Sequence, residues 1–315
     1  MTNTLWRAVA GSNHLEPEEM GPRVAQLVRG LGSPQYDLGL LKLREARSLH
    51  LVGGGHINSM WPQHFGLVRG LQAVHELTGA SLFATGLGLM PADPPMPVNT
   101  EDLFHGFVHA SARDSESART FGLTAGLDDA FLGAPDEIGR NSRAANSLCV
   151  CIQSDTADGG HLAKAVGYAR GRIKAALDSG RDVHYFEAIP GPDREAYEML
   201  ADLIPERNFV PFVETWKHGL PVAPGQEWLT TRFHFHLLAA AAGARGTSLE
   251  AKSGYYDIKH KSLRDAGSGW SHVVDGQESV PAAANTLALN LAALAGRKAS
   301  EAEKLYPGGA RKPVE

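Results

Sequence analysis

The strongest limit on the fold of this chain is a rhythm of short apolar stretches running into glycine or polar turns, each followed by a segment of helical spacing. "SLHLVGGGHIN" predicts a strand at Leu49–Val52 and a glycine turn. "WPQHFGLVRGLQAVHELTGA" then places Leu67, Val68, Leu71, Val74 and Leu77 on one helical face, with Gly79 as the C-terminal cap. "SLFATGLGLMP" is the next strand and glycine turn, "PADPPMPVNTED" a stiff loop, "FVHASARD" a strand and "SESARTFG" a short helix capped by Ser115. The rhythm restarts with "SLCVCIQSD". It continues through the helix "HLAKAVGYARGRIKAAL" ended by Gly180, the strand "DVHYFEAI", the helix "PDREAYEMLADLI" and the strand "NFVPFV". "TRFHFHLLAAAAG" follows as a helix, "ARGTSLEA" as a strand, "YDIKHKSLRDAG" as a helix ending at Gly267, and Val280–Leu294 as a last helix.

Alternation of this kind belongs to parallel sheets covered by helices, and its occurrence twice in 315 residues predicts two α/β domains. The turn-rich, charged stretch from Gly133 to Asn146 is the expected boundary. It gives a first domain over 1–140, a second over 141–275, and a helix and tail over 276–315. Two open sheets facing each other would gather strand ends and helix N-termini around one cleft, where ligands of such folds bind.

A net charge of -5 excludes a broad nucleic-acid or anionic-membrane footprint, so any anion must be held by a local cluster. Cys149 and Cys151, two apart on one strand, are poorly placed to bond each other and read as buried thiols of a reducing compartment. The N-terminal residues have neither the basic start nor the apolar run of a signal peptide, and no stretch reaches membrane-spanning length, so a cytoplasmic location is expected.

Gly53, Gly54 and Gly55 after the first strand, and Gly86 and Gly88 after the second, permit close backbone approach to a ligand or a tight turn. Neither group has the spacing of a dinucleotide fingerprint or a phosphate loop. His56 and Asn58 are ligand contacts or solvated loop residues. Arg113, at a strand end, reads either as a ligand contact or as the partner of Asp114 or Asp129, and the adjacent Asp128 and Asp129 as a metal or acid/base pair or as solvated caps. No metal-ligand spacing is present.

The sharpest signal is "LTTRFHFHLL". With Thr230 or Thr231 as N-cap, Arg232 to His234 make the first helical turn, where orphan amides and the helix dipole favour an anion and disfavour a cation. An arginine there implies a bound phosphate or carboxylate, which its planar fork grips in two bonds. The same field disfavours the imidazolium of His234 and suits it to proton exchange near neutral pH. The alternative makes His234 and His236 core histidines and Arg232 the partner of Glu227 or Glu214; for His236 that alternative leads. Lys252, Lys259 and Lys261 lie along the same edge, Lys259 being the one expected to face the cleft.

Taken in order, "LVGGGHIN", "ATGLGLMP", "HASARDSESARTFGL", "DDAF" and "TRFHFHLLAAAAGARGTSLEAKSGYYDIKHKSL" resemble the polysaccharide pyruvyl transferase family, whose arginine–apolar–histidine triplet stands here as Arg232, Phe233 and His234. The resemblance implies two facing Rossmann-like domains of the GT-B-like type. It also implies transfer of the enolpyruvyl carbons of phosphoenolpyruvate onto two hydroxyls of one sugar. Arg113 and Arg232 would then bind the donor, His234 would be the acid/base, Gly54, Gly55, Gly86 and Lys259 would line the substrate site, and no metal or cofactor would be needed. The partners would be phosphoenolpyruvate and a sugar, glycan or glycolipid acceptor, with no nucleic acid; a homo-oligomer stays open. Only about fifty residues precede Gly53, and "AGSNHLEPEE" matches the family's asparagine–glycine–aspartate loop poorly, so the first domain is expected to be shortened, divergent or cut at its start. The rival readings are a nucleotide-sugar glycosyltransferase on the same architecture and a non-catalytic family member.

Overall fold

The computed structural model describes residues 15–31, 36–138, 146–155, 159–250, 252, 256–281 and 283–308. It is an α/β protein of two compact units, one made of residues 1–129 and 301–315, the other of 130–300. The boundary expected at residue 140 lies outside the described residues. The division falls just ahead of it, and the end of the chain returns to the first unit.

Two helices precede the first strand, α1 (Pro17–Gly30) and α2 (Asp37–Arg44). In α1, Pro17 occupies the first turn and Glu16 and Glu19 cap each other. Met20, Val24, Leu27 and Val28 form its buried stripe. The sheet begins with β1 (Ser48–Gly54), and α3 (Phe65–Thr78) returns the chain to β2 (Ser81–Leu87). Gly79 ends α3 in the left-handed region, as its position in the sequence predicts. Gly66 lets α1 close on α3, since a Cβ there would stand 2.5 Å from Met20. A long loop leads to β3 (Phe107–Ala112), then α4 (Ser115–Thr120) and the two-residue β4 (Thr124–Ala125). The N-cap of α4 is Asp114 rather than Ser115: its carboxylate accepts the Ser117 amide at 2.7 Å. All four strands are parallel, in the order β1-β2-β3-β4, over a core that includes Val24, Leu40, Phe65, Leu82 and Leu103.

The second unit opens with the short α5 (Ala134–Glu137) and then β5 (Leu148–Cys151), α6 (Gly159–Asp178), β6 (Val183–Phe186), α7 (Pro192–Glu198) and β7 (Phe209–Val210). The helix expected through Ile204 stops at Glu198, and the chain goes on in turns that bury Leu200 and Ile204. The strand expected through Val213 ends at Val210, because Pro211 offers no amide to a ladder and instead caps α8 (Phe212–His218). Then come β8 (Glu227–Thr230), α9 (Phe233–Ala241), β9 (Arg245–Leu249), α10 (Tyr256–Asp265), β10 (Ser271–Val274) and β11 (Gln277–Ser279). The final helix α11 spans Leu287–Leu305, later and longer than the Val280–Leu294 that the apolar spacing predicts.

This sheet runs β11-β10-β9-β8-β5-β6-β7, parallel except for the β10–β11 hairpin. From β5 the chain winds one way, through β6 to β7. From β8, which lies against β5, it winds the other way. The place where winding reverses is thus the gap between the C-terminal ends of β5 and β8. Cys149 and Cys151 are both buried on β5 and form no disulfide. Burial pushes the Cys149 thiol up to about 12. Among the described residues no helix is long and apolar enough to cross a membrane.

Candidate functional site

The glycines of the first unit meet at the C-terminal ends of β1 and β2, and the protein's own atoms fill the space they leave. A Cβ on Gly53 would lie 2.4 Å from the Gly86 carbonyl oxygen, and one on Gly88 would run into the Arg113 guanidinium at 2.6 Å. Gly86, at φ +64°, faces Asp129, whose amide would stand 2.8 Å from an added Cβ. The Asp129 carboxylate accepts the Gly53 amide at 2.8 Å and the Thr85 hydroxyl at 2.9 Å. His50 joins Thr85 to the Tyr306 hydroxyl, at 2.8 and 2.9 Å. Gly54 accepts the Gly88 amide and would crowd His56 if it carried a side chain; the Gly55 carbonyl accepts from Asn58.

Arg113 is buried beside these loops. It donates to Asp128 at 2.7 Å, and the two side chains are 3% and 5% exposed. The sequence offered Asp114, Asp129 or a ligand as its counter-charge. Among the described residues it pairs with Asp128, while Asp114 turns to cap α4 and Asp129 to hold the β1 and β2 turns.

In the second unit Arg232 and His234 lie where winding reverses, and Lys259 is on α10, which packs against α9. The loops leaving β5 and β8 are bound to each other. The Gln153 amide donates to the Thr231 hydroxyl at 2.8 Å, and the Thr231 amide donates to the Cys151 carbonyl at 3.2 Å. Arg232 is the N-cap of α9 rather than a residue of its first turn, with its own amide bonded to the Thr230 hydroxyl at 2.9 Å. Phe233 therefore opens the helix, and His234 stands exposed in the first turn.

The Arg232 guanidinium donates to Asp193, a residue with no exposed side-chain surface, while Arg232 itself is 13% exposed. Asp193 comes from the first turn of α7, and its other oxygen accepts the Ala188 and Ile189 amides at 2.8 and 2.9 Å. Burial pushes the Asp193 carboxyl above its ordinary value, and the charge and hydrogen bond of Arg232 restrain that rise. Neither Glu227 nor Glu214 is this arginine's partner. Glu227 lies at the start of β8, bound by Arg172, Arg181 and Arg245, and Glu214 pairs with His218. Burial raises the Glu227 carboxyl, but the Arg181 hydrogen bond and three guanidinium charges outweigh it and leave the group below its usual range. Asp193 escapes detection in the sequence because an acid after a proline at a helix start reads as a solvated first-turn charge. Ser154, whose hydroxyl donates to Glu195 at 2.6 Å, escapes likewise.

His236 lies in the core. Its ring stacks on Trp270 at 4.3 Å and bonds His260 and Ser268, each at 2.9 Å. Burial, then the neighbouring His260, holds its imidazolium far out of reach, and burial followed by the His272 charge brings His260 down to about 3. The charge of half-buried Lys259, next to His260 in the chain, adds to the same effect. No group of three or more histidine, cysteine, aspartate or glutamate side chains among the described residues could hold a metal ion. Compared with known protein-family models and with curated proteins, the chain matches none.

Proposed function

We propose that this protein is a pyruvyl transferase of the GT-B-like, two-domain kind, moving the enolpyruvyl group of phosphoenolpyruvate onto two hydroxyls of a sugar in a polysaccharide or glycolipid precursor. The observation that carries the reading is the position of Arg232. Arg232 occupies the N-cap position of α9 at the reversal of the sheet's winding, where open α/β sheets bind ligands, and an exposed imidazole stands two residues on. A guanidinium presents its N–H donors as a planar fork, which suits the two oxygens of a carboxylate or phosphate. The α9 amides and Lys259 add to the attraction.

In this scheme protonated His234 delivers a proton to the donor's methylene carbon, and the adjacent carbon becomes electrophilic. The first sugar hydroxyl adds there and returns a proton to His234. The second hydroxyl displaces phosphate, its proton leaving with the phosphate, and a cyclic ketal remains. Arg113, committed to Asp128, serves the fold in this reading rather than the donor.

One observation favours a nucleotide-sugar glycosyltransferase instead. Glu250, buried at the C-terminal end of β9, follows a strand–helix–strand unit as a ribose-binding acid does. The turn after β8, "TTRF", lacks the glycines that would let a diphosphate approach the backbone, which favours the first reading. Calorimetric titration with phosphoenolpyruvate and with uridine and guanosine diphosphates separates the two. Phosphoenolpyruvate binding that is lost in Arg232→Lys and kept in Arg113→Lys is expected; preference for a nucleotide overturns the proposal.

A further inference from the structure

His236 and His260 have no part in the chemistry just described, yet their bonding is directional. His260 Nε2 faces the Thr231 carbonyl oxygen at 3.2 Å and must carry its hydrogen. In a neutral ring this leaves Nδ1 as an acceptor. His236 Nδ1, 2.9 Å away, is then the donor, and His236 Nε2 accepts the Ser268 hydroxyl at 2.9 Å. Hydrogen bonds thus run one way from Ser268 through two imidazoles to Thr231. All four residues are at most 1% exposed.

We infer that His236 and His260 are positioning residues, which with Ser268 fix the Thr231–Arg232 turn and so set the direction of the Arg232 guanidinium and the His234 ring. Packing alone does not call for imidazoles here, since the buried neighbours of His236 on α9 are Phe235, Leu237 and alanines. The carbonyl of Thr231 lies past the end of the β8 ladder and needs a donor that α9 cannot supply. With it bound, every polar group of Thr231 is engaged: the amide to Cys151, the hydroxyl to Gln153 and the carbonyl to His260. Arg232 is then held on both sides, its amide by Thr230 and its carbonyl by the His236 amide at 3.1 Å. The bearing of this lock on catalysis rests on the transferase reading; its bearing on the Arg232 turn does not.

The test compares His260→Phe, which keeps a ring but no nitrogen, with His260→Gln, which restores an N–H donor. Amide hydrogen exchange and the Arg232 side-chain nitrogen resonance report on the turn, and calorimetry with phosphoenolpyruvate reports on the site. His260→Phe is expected to raise exchange selectively over residues 231–236, shift the Arg232 resonance and weaken phosphoenolpyruvate binding roughly tenfold or more. His260→Gln should recover most of each. If His260→Phe does not fold, Ser268→Ala, which cuts the far end of the chain, should produce a smaller change at the same residues. An unshifted Arg232 resonance, or exchange that rises evenly over the unit, overturns the inference. If the unaltered protein does not bind phosphoenolpyruvate, the transferase reading fails, and exchange and resonance still decide the positioning role.

Discussion

Each unit places an arginine–aspartate pair at the C-terminal ends of its strands, and the two pairs are built for different ends. Arg113 and Asp128 lie in a sheet whose strands follow one another in one direction, beside glycine turns packed by Asp129 and by Arg113 itself. Arg232 and Asp193 lie where the other sheet reverses, with Arg232 at the N-cap position of a helix and His234 exposed in its first turn. Residue type and strand-end position are alike in the two. The difference is the surrounding backbone: one pair closes a set of turns, and the other holds a cation where helix amides already favour an anion.

The largest effects should come from removing either arginine. Arg113→Ala leaves Asp128 buried without its counter-charge and is expected to cost about 3–5 kcal/mol in urea unfolding. Arg232→Ala should cost less, since Asp193 already tends toward the neutral acid and can take up a proton. Equal costs would remove the contrast between the pairs. His234→Ala completes the comparison on the activity side: it should leave stability and phosphoenolpyruvate affinity near normal and slow turnover by roughly 10²–10⁴-fold.

Gly86→Ala tests whether the first unit's glycines serve its own packing. With φ +64° and Asp129 in the way, it is expected to destabilise by about 1–3 kcal/mol. Gly86→Ala that unfolds like the unaltered protein but loses ligand binding would restore that loop to the site.

The histidines of the second unit supply a pH test. His236 and His260 have folded values below their unfolded one of about 6.5. The unfolded chain therefore binds protons first as pH falls. Their contribution is fully present above that value and is lost as pH drops toward the folded value, about 3 for His260. The charges of Arg264 and His272 oppose protonation of both rings, and that of Lys259 opposes protonation of His260. Urea stability should decline by up to about 1.4 kcal/mol per pH unit for each histidine below pH 6, and less in His260→Gln. The smallest expected effect is at α4, where Asp114→Ala should cost about 1 kcal/mol through the lost cap and leave ligand binding unchanged.

Much of the fold was legible because its signals are local. Strand β1, helix α3 with its Gly79 cap, β5, α6 and β9 follow from apolar spacing and turn residues alone. The strand beside the site was not legible: "EWLT" has no alternation, because its glutamate is buried by three arginines distant in sequence. The β10–β11 hairpin and α2 are too short to show a period, whereas α1 was missed although Met20, Val24, Leu27 and Val28 recur at helical spacing.

The sequence by itself determined an α/β chain of two units and singled out Arg232 and His234 as the residues most in need of an explanation. Periodicity and helix-end electrostatics act within a few residues, so both can be read along the chain. Only the tertiary structure decided that Arg113 pairs with Asp128, that Arg232 rests on Asp193, and that His236 belongs to a buried chain with His260 and Ser268. Each of these choices sets desolvation against a partner that the sequence keeps far away, and burial, which gives the pairing its energy, exists only once the sheet has formed.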